Sequence, residues 1–119
     1  MVNLINHYKR YGLQMGLMLS GVDENVPSLY YINTEGSRMK GHLFSVGSGM
    51  TYAYGVLDTF YRFDMTVDEA VELGRRAIYH ATNRDTASGG VARVFHVHAG
   101  GWTEKIAGDD VNKLHYQYQ

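Results

Sequence analysis

Three stretches of this chain gather residue types that could do chemistry. Gly47-Ser48-Gly49 sets a hydroxyl between two glycines, just ahead of a segment with helical spacing. A helix start presents unsatisfied N–H groups, so this stretch could hold an anion, or Ser48 could simply cap the helix. It has neither the lysine nor the spacing of a phosphate-binding P-loop. Arg84-Asp85-Thr86-Ala87-Ser88-Gly89-Gly90 places a charge pair, hydroxyls and two glycines at a predicted helix exit. Carbonyls left free there could coordinate a cation, although an Asx-type turn with a glycine C-cap is the simpler account. His96 and His98, two apart on a predicted strand, send both rings to one face and could begin a zinc or copper site. Such a site needs further ligands, and Glu104 across the predicted hairpin is the one neighbouring carboxylate. Two half-exposed histidines on an outer strand is the simpler reading. His7, His42, His80 and His115 are isolated, and neither Gly-x-Ser-x-Gly nor His-Glu-x-x-His occurs.

The elements that must position these residues follow from periodicity and turn chemistry. Leu13 to Val22 is a nearly continuous apolar run, the pattern of a strand buried on both faces. Asp23 to Pro27 breaks it, and Ser28 to Ile32 resumes with strand formers. Asn33 to Ser37 is a turn with Gly36 free to take positive φ, and Met39 to Val46 completes a three-stranded meander. Met50 to Tyr61 carries Ala53, Val56, Leu57 and Phe60 at helical spacing, with Ser48 as the predicted N-cap. Thr66 and Glu69 form a capping box that opens a helix running to about Arg84. Val67, Ala70, Val71, Ala77, Ile78 and Ala81 mark its apolar face, and Gly74 on that face would admit a close neighbour. Asp68, Glu69, Glu72, Arg75 and Arg76 lie opposite, with Glu72 and Arg76 in the favourable i, i+4 order. Val91 to His98 and Trp102 to Ile106 form a hairpin through Ala99-Gly100-Gly101, and Asp109 could cap a short helix reaching Tyr116. Three strands, two helices, two strands and a short helix make an α+β domain over residues 1–119 rather than a repeating βαβ unit.

Composition narrows the function classes. The 119 residues are 45% apolar and 19% charged, enough for one domain with its own core. Eleven Lys plus Arg against twelve Asp plus Glu give a net charge of −1, which offers no basic field for nucleic acid or anionic lipid. No apolar run approaches a membrane span, and the first ten residues lack the apolar core of a signal peptide. Zero cysteines exclude a disulfide scaffold, a thiol nucleophile and a Cys-ligated zinc. A soluble protein inside the cell is the expectation.

Taken in order, these segments resemble the proteasome beta subunits, and among them the beta type-5 (chymotrypsin-like) group. The matching residues are Ser28 to Ile32 with Gly36 and Arg38, then Phe44 to Val56, Arg75 to Ala81, Thr82 to Gly90, and Gly101-Trp102. The likeness runs from about Leu13 to Tyr116. It implies part of the αββα four-layer sandwich of N-terminal-nucleophile hydrolases. In that family an N-terminal threonine attacks and its own α-amine accepts the proton, which gives the hydroxyl the adjacent base it needs. The resemblance casts Ser48, Asp85 and Ser88 as supporting residues. Asp85 would carry the charge that orders the catalytic lysine and amine, and the two serines would hydrogen-bond the amine. It also casts Thr82, Asp85 and Ser88 as a backbone-carbonyl site for a structural monovalent or divalent cation, with no cofactor required.

The same likeness implies other alpha and beta subunits as partners in a stacked-ring particle with heptameric rings. It implies polypeptide substrates cut after bulky apolar residues, and a cytoplasmic and nuclear location. None of the fourteen glycines precedes a threonine, so the family's Gly-Thr processing bond is not in this sequence. The nucleophile and the catalytic lysine would precede the matched segment, and the chain alone is expected to be inactive. Missing strands and a missing helical layer would leave the apolar meander open to edge pairing. Asn25-Val26-Pro27-Ser28 departs from the glycine-rich turn usual in the family, Leu57 replaces a usual Met, and Ala87 stands where an aromatic residue is common. Two alternatives remain: a non-catalytic truncated subunit or paralogue that binds assembly partners, and a small metal-binding domain built on His96 and His98.

Overall fold

The computed structural model describes residues 2–8, 16–114 and 117–118. Residues 13–15 of the first predicted strand, His115 and Tyr116 lie outside them. The elements run α1 (Val2–Tyr8), β1 (Leu17–Asp23), β2 (Val26–Ile32), β3 (Arg38–Lys40), α2 (Met50–Phe60), α3 (Val67–Arg84), β4 (Val91–His98), β5 (Gly101–Asp110) and α4 (Val111–Leu114). The chain is α+β, and this order of helix, sheet, helix pair and sheet is consistent with part of an αββα sandwich. Two compact units are present: Met1–Val46 with Val97–Gly101, and Gly47–His96 with Trp102–Gln119.

In the first unit β1, β2 and β3 form an antiparallel meander. The β1–β2 connection is tighter than the sequence suggested. Asp23 pairs with Val26, which leaves Glu24 and Asn25 as a two-residue loop with φ of 51° and 63°. Both central residues at positive φ define a type I′ turn, whose twist matches that of the strands, and Asn accepts this conformation readily. Pro27 therefore sits inside a strand without breaking it. Its partner is Val22, one step beyond the hydrogen-bonded Asp23–Val26 pair, so its nitrogen faces away from β1. On that other side β3 reaches only Tyr30, so no ladder bond is lost.

The β2–β3 connection is the expected Asn33–Ser37 turn. Asn33 Oδ1 accepts from the Ser37 N–H at 2.9 Å, the Gly36 N–H reaches the Asn33 carbonyl at 3.0 Å, and Gly36 has φ of 83°. Two expectations need correction here. The third strand stops at Lys40 instead of continuing to Val46, because the chain folds back at Gly41. A Cβ there would lie 2.7 Å from the Phe44 ring, and that ring also packs on Tyr31 with centroids 5.9 Å apart. The apolar run in β1 does not mark burial on both faces: Met18 and Leu19 are 47% and 52% exposed.

The second unit holds the site-bearing helices. The capping box of α3 is complete, with Glu69 N–H donating to Thr66 Oγ1 at 3.2 Å and Thr66 N–H to Glu69 Oε2 at 3.3 Å. The stripe that meets α2 is narrower than the periodicity implied. Leu73, Ala77 and Ala81, four apart, pack against Ala53 and Val56 with Leu57 at the margin, while Val67 and Ile78 stay exposed. Small residues at the crossing bring the two helices close. Phe60 lies under the Arg76 guanidinium, 4.2 Å from its ring centroid, so Arg76 does not take the expected place beside Glu72.

Glu72 pairs instead with Arg75, at 2.6 Å, and Arg75 also donates to Asp109 at 2.9 Å and to the Tyr118 hydroxyl at 3.0 Å. Burial works against the Arg75 charge, but the Asp109 and Tyr118 hydrogen bonds outweigh it and hold its pKa above the ordinary value. Burial also raises the Tyr118 phenol, which donates to Glu72. Asp109 is therefore spent on Arg75 at the end of β5 rather than on a helix cap. Tyr79, Ala92 and Leu114, joined by Tyr118, form a second small core beneath this network.

Two glycines make opposite predictions for the chain's urea denaturation midpoint. Among the described residues Gly74 faces only Val94, whose methyl would lie 4.0 Å from an added Cβ, so none of them makes the close approach expected there. Gly74→Ala should stabilise by about 0.5–1 kcal/mol through helix propensity. Gly36→Ala, forced to φ of 83°, should destabilise by about 1–2 kcal/mol.

Candidate functional site

The start of α2 and the exit of α3 bring Ser48, Asp85 and Ser88 together in the second unit. Gly47, at φ of 119°, turns the chain into α2 in a conformation that a side chain would resist. The N-cap of α2 is then Gly49 and not Ser48 as expected, and no side chain caps the helix. The Ser48 hydroxyl is used elsewhere: it donates to Asp85 Oδ2 at 2.6 Å, across 37 residues of sequence. At its own end, α3 closes with the Asp85 N–H on the Ala81 carbonyl at 2.8 Å, and Asp85 takes extended dihedrals as the C-cap. The expected glycine C-cap is thus replaced by the aspartate itself.

Asp85 accepts from several donors at once. Ser88 Oγ donates to Oδ2 at 2.6 Å and the Ala87 N–H to Oδ1 at 3.2 Å, the latter an Asx turn. The two hydroxyls, followed by the Ala87 amide, hold the Asp85 pKa below the usual carboxylate range. The bonds favour the charged form, so their contribution is present above the ordinary aspartate pKa and is lost as pH falls through the lowered one. At neutral pH the cluster is a carboxylate with two hydroxyl protons aimed at one of its oxygens. Each serine oxygen keeps lone pairs with which to accept from an N–H donor.

The residues cast as a carbonyl cation site lie on the same helix exit. A set of carbonyl oxygens suits a hard cation. The Asp85 carbonyl already accepts from the Ser88 N–H at 3.1 Å, so it has one lone pair to offer, while the Thr82 hydroxyl turns back to the Tyr79 carbonyl at 2.8 Å. His96 and His98 lie two apart on β4 as expected, and His98 Nδ1 accepts from the Gly100 N–H at 3.2 Å. Among the described residues no three His, Cys, Asp or Glu side chains gather as a metal set. Nor, among them, is any helix long and apolar enough to cross a membrane.

The Ala87 amide is the donor of the Asx-type turn expected there, whereas the Arg75 network was missed. Its Glu72 contact is an i, i+3 pair on one helix, but Asp109 and Tyr118 lie more than thirty residues away and leave no local trace.

A family model described as proteasome subunit matches residues 1–97, which extends the likeness ahead of Leu13. Proteasome subunit beta type-5-B of Arabidopsis thaliana is 59% identical over 118 residues, 99% of this chain and 43% of that protein. Proteasome subunit beta type-5 of Spinacia oleracea is 58% identical over the same shares, 99% and 43%. Proteasome subunit beta type-8 of Homo sapiens is 47% identical over 117 residues, 98% of this chain and 42% of that protein. The chain thus spans about two fifths of the length of the curated relatives it matches. On a family match over most of its length and relatives of the beta type, the chain belongs to the proteasome subunit family.

Proposed function

We propose that this sequence is the C-terminal part of a beta type-5-like subunit of the 20S proteasome core particle. Within that subunit, Ser48, Asp85 and Ser88 support an N-terminal threonine nucleophile contributed by the rest of the subunit. The observation that carries this reading is the convergence of both serine hydroxyls on Asp85 Oδ2 at 2.6 Å. A nucleophile whose base is its own α-amine needs that amine held neutral and in reach, then stabilised when it becomes an ammonium. Because Ser48 and Ser88 spend their protons on Asp85, their oxygens are left to accept from the amine. The Asp85 charge behind them favours the protonated amine that forms as the threonine hydroxyl attacks the scissile carbonyl. The attack makes an ester to the threonine oxygen, the amine passes its proton to the leaving nitrogen, and water then releases the acyl group.

On this reading the partners are other alpha and beta subunits of a stacked-ring particle, and the substrates are polypeptides cut after bulky apolar residues. The location is cytoplasmic and nuclear, and the chain alone hydrolyses nothing. In a particle assembled with the full-length subunit, Asp85→Asn should lower kcat for a fluorogenic peptide ending in a bulky apolar residue. A charge-assisted hydrogen-bond partner is lost, so the drop should be on the order of 10- to 100-fold. Undiminished turnover in assembled Asp85→Asn particles would remove the cluster from catalysis.

The reading extends to a structural cation at the carbonyls of Thr82, Asp85 and Ser88. If those oxygens hold one, the thermal midpoint of the particle should rise with added K⁺ or Mg²⁺ beyond what choline chloride gives at equal ionic strength. Equal midpoints in all three salts would discard the cation.

A further inference from the structure

Asp85 Oδ2 can bond two hydroxyls at once only if nothing else occupies the space beside it, and Gly49 borders that space. The residue is buried at the start of α2. A Cβ built on it would meet Ala81 Cβ at 3.1 Å, Ser88 Oγ at 3.1 Å and Asp85 Oδ2 at 3.3 Å. All three approaches are closer than ordinary van der Waals contact, so a side chain here must displace a neighbour. Ala81 belongs to the packed core of α3 and is 7% exposed, which leaves it little room to move. The other two atoms are the partners of the Ser88–Asp85 hydrogen bond, and the displacement falls on them. Backbone strain is not the reason for a glycine at this position, since its φ is an ordinary −91°. Gly47 is the contrasting case: its φ is 119°, and an added Cβ there would meet none of the described residues within 4 Å. One glycine of the Gly-Ser-Gly segment supplies backbone freedom and the other supplies space.

We propose that Gly49 is a positioning residue for the reaction. Its missing side chain lets Asp85 and Ser88 close up beside Ser48, so that the three present one fixed set of acceptors to the nucleophile's amine. This inference rests on the reading of Ser48, Asp85 and Ser88 given above. It identifies position 49 as a place where a single methyl group detunes the site without touching substrate.

The test uses particles assembled with the full-length subunit, compared as wild type, Gly49→Ala, Ala81→Gly, the Gly49→Ala/Ala81→Gly pair and Asp85→Asn. Gly49→Ala particles should assemble and lose roughly tenfold in kcat on the bulky-apolar peptide, since sub-ångström misplacement of catalytic support is costly. KM should stay within about twofold, because no substrate contact changes. Ala81→Gly alone should turn over near the wild-type rate. The double variant should regain several-fold over Gly49→Ala, because the new methyl can move into the space left by Ala81 Cβ. Unchanged kcat in Gly49→Ala would overturn the proposal, as would a loss that Ala81→Gly does not relieve. Failure of Gly49→Ala to assemble would also overturn it, by making the glycine a folding requirement. If Asp85→Asn keeps full turnover, the catalytic reading of the cluster fails and this inference with it. If Asp85→Asn is impaired while Gly49→Ala is not, the Gly49 inference alone fails.

Discussion

One carboxylate oxygen, Asp85 Oδ2, accepts from hydroxyls on two separate segments, and the second unit is arranged so that it can. Ser48 arrives from the start of α2, Ser88 from the turn after α3, and Asp85 itself ends α3. The three meet only if α2 and α3 pack at short range, which the alanines at their crossing permit. Ala53 on one helix and Ala77 and Ala81 on the other hold the backbones close, with Val56 and Leu73 filling the remaining volume. A larger residue at any of these positions would move Ser48 and Asp85 apart. The geometry at the helix ends therefore depends on side-chain volumes one to three turns away.

Electrostatics sharpen this arrangement without sustaining it alone. Asp85 is held charged by hydroxyl and amide donors rather than by a cation among them, which on the proposed reading leaves its negative charge for the nucleophile's amine. The contrast with Arg75 is instructive. That guanidinium is mostly shielded, and its donors are taken up by Glu72, Asp109 and Tyr118, which ties α3 to the end of β5 and to the chain's last described residues. Arg75 belongs to the architecture, while Asp85 keeps its charge beside two hydroxyls that can accept.

Much of this was legible in the sequence where the signals are local. The capping box of Thr66 and Glu69, the Asn33–Ser37 turn and the β4 strand each rest on interactions within a few residues, and each forms as read. The misreadings came where a distant partner decides the outcome. Ser48 has the residue type of an N-cap, yet its hydroxyl goes to a carboxylate 37 positions away. The strand pattern from Met39 to Val46 is strong, yet Phe44 folds back over Gly41 and ends it. Pro27 looks like a strand breaker until the register shows that its missing N–H falls on an unpaired side. In β1 the apolar run gives strand type correctly but not burial, because periodicity reports what a residue can pack against and not whether a neighbour is there. For the site itself, Asp85 and Ser88 share one turn and could be paired by eye, whereas bringing in Ser48 took the family likeness.

The claim that Ser48 and Asp85 act as one device is tested most directly by a double-mutant cycle on kcat. It would compare Ser48→Ala, Asp85→Asn and their combination in particles assembled with the full-length subunit. If the carboxylate works through the serine, the double variant should lose far less than the product of the two single losses. Losses that multiply would show two independent contributions and contradict the account.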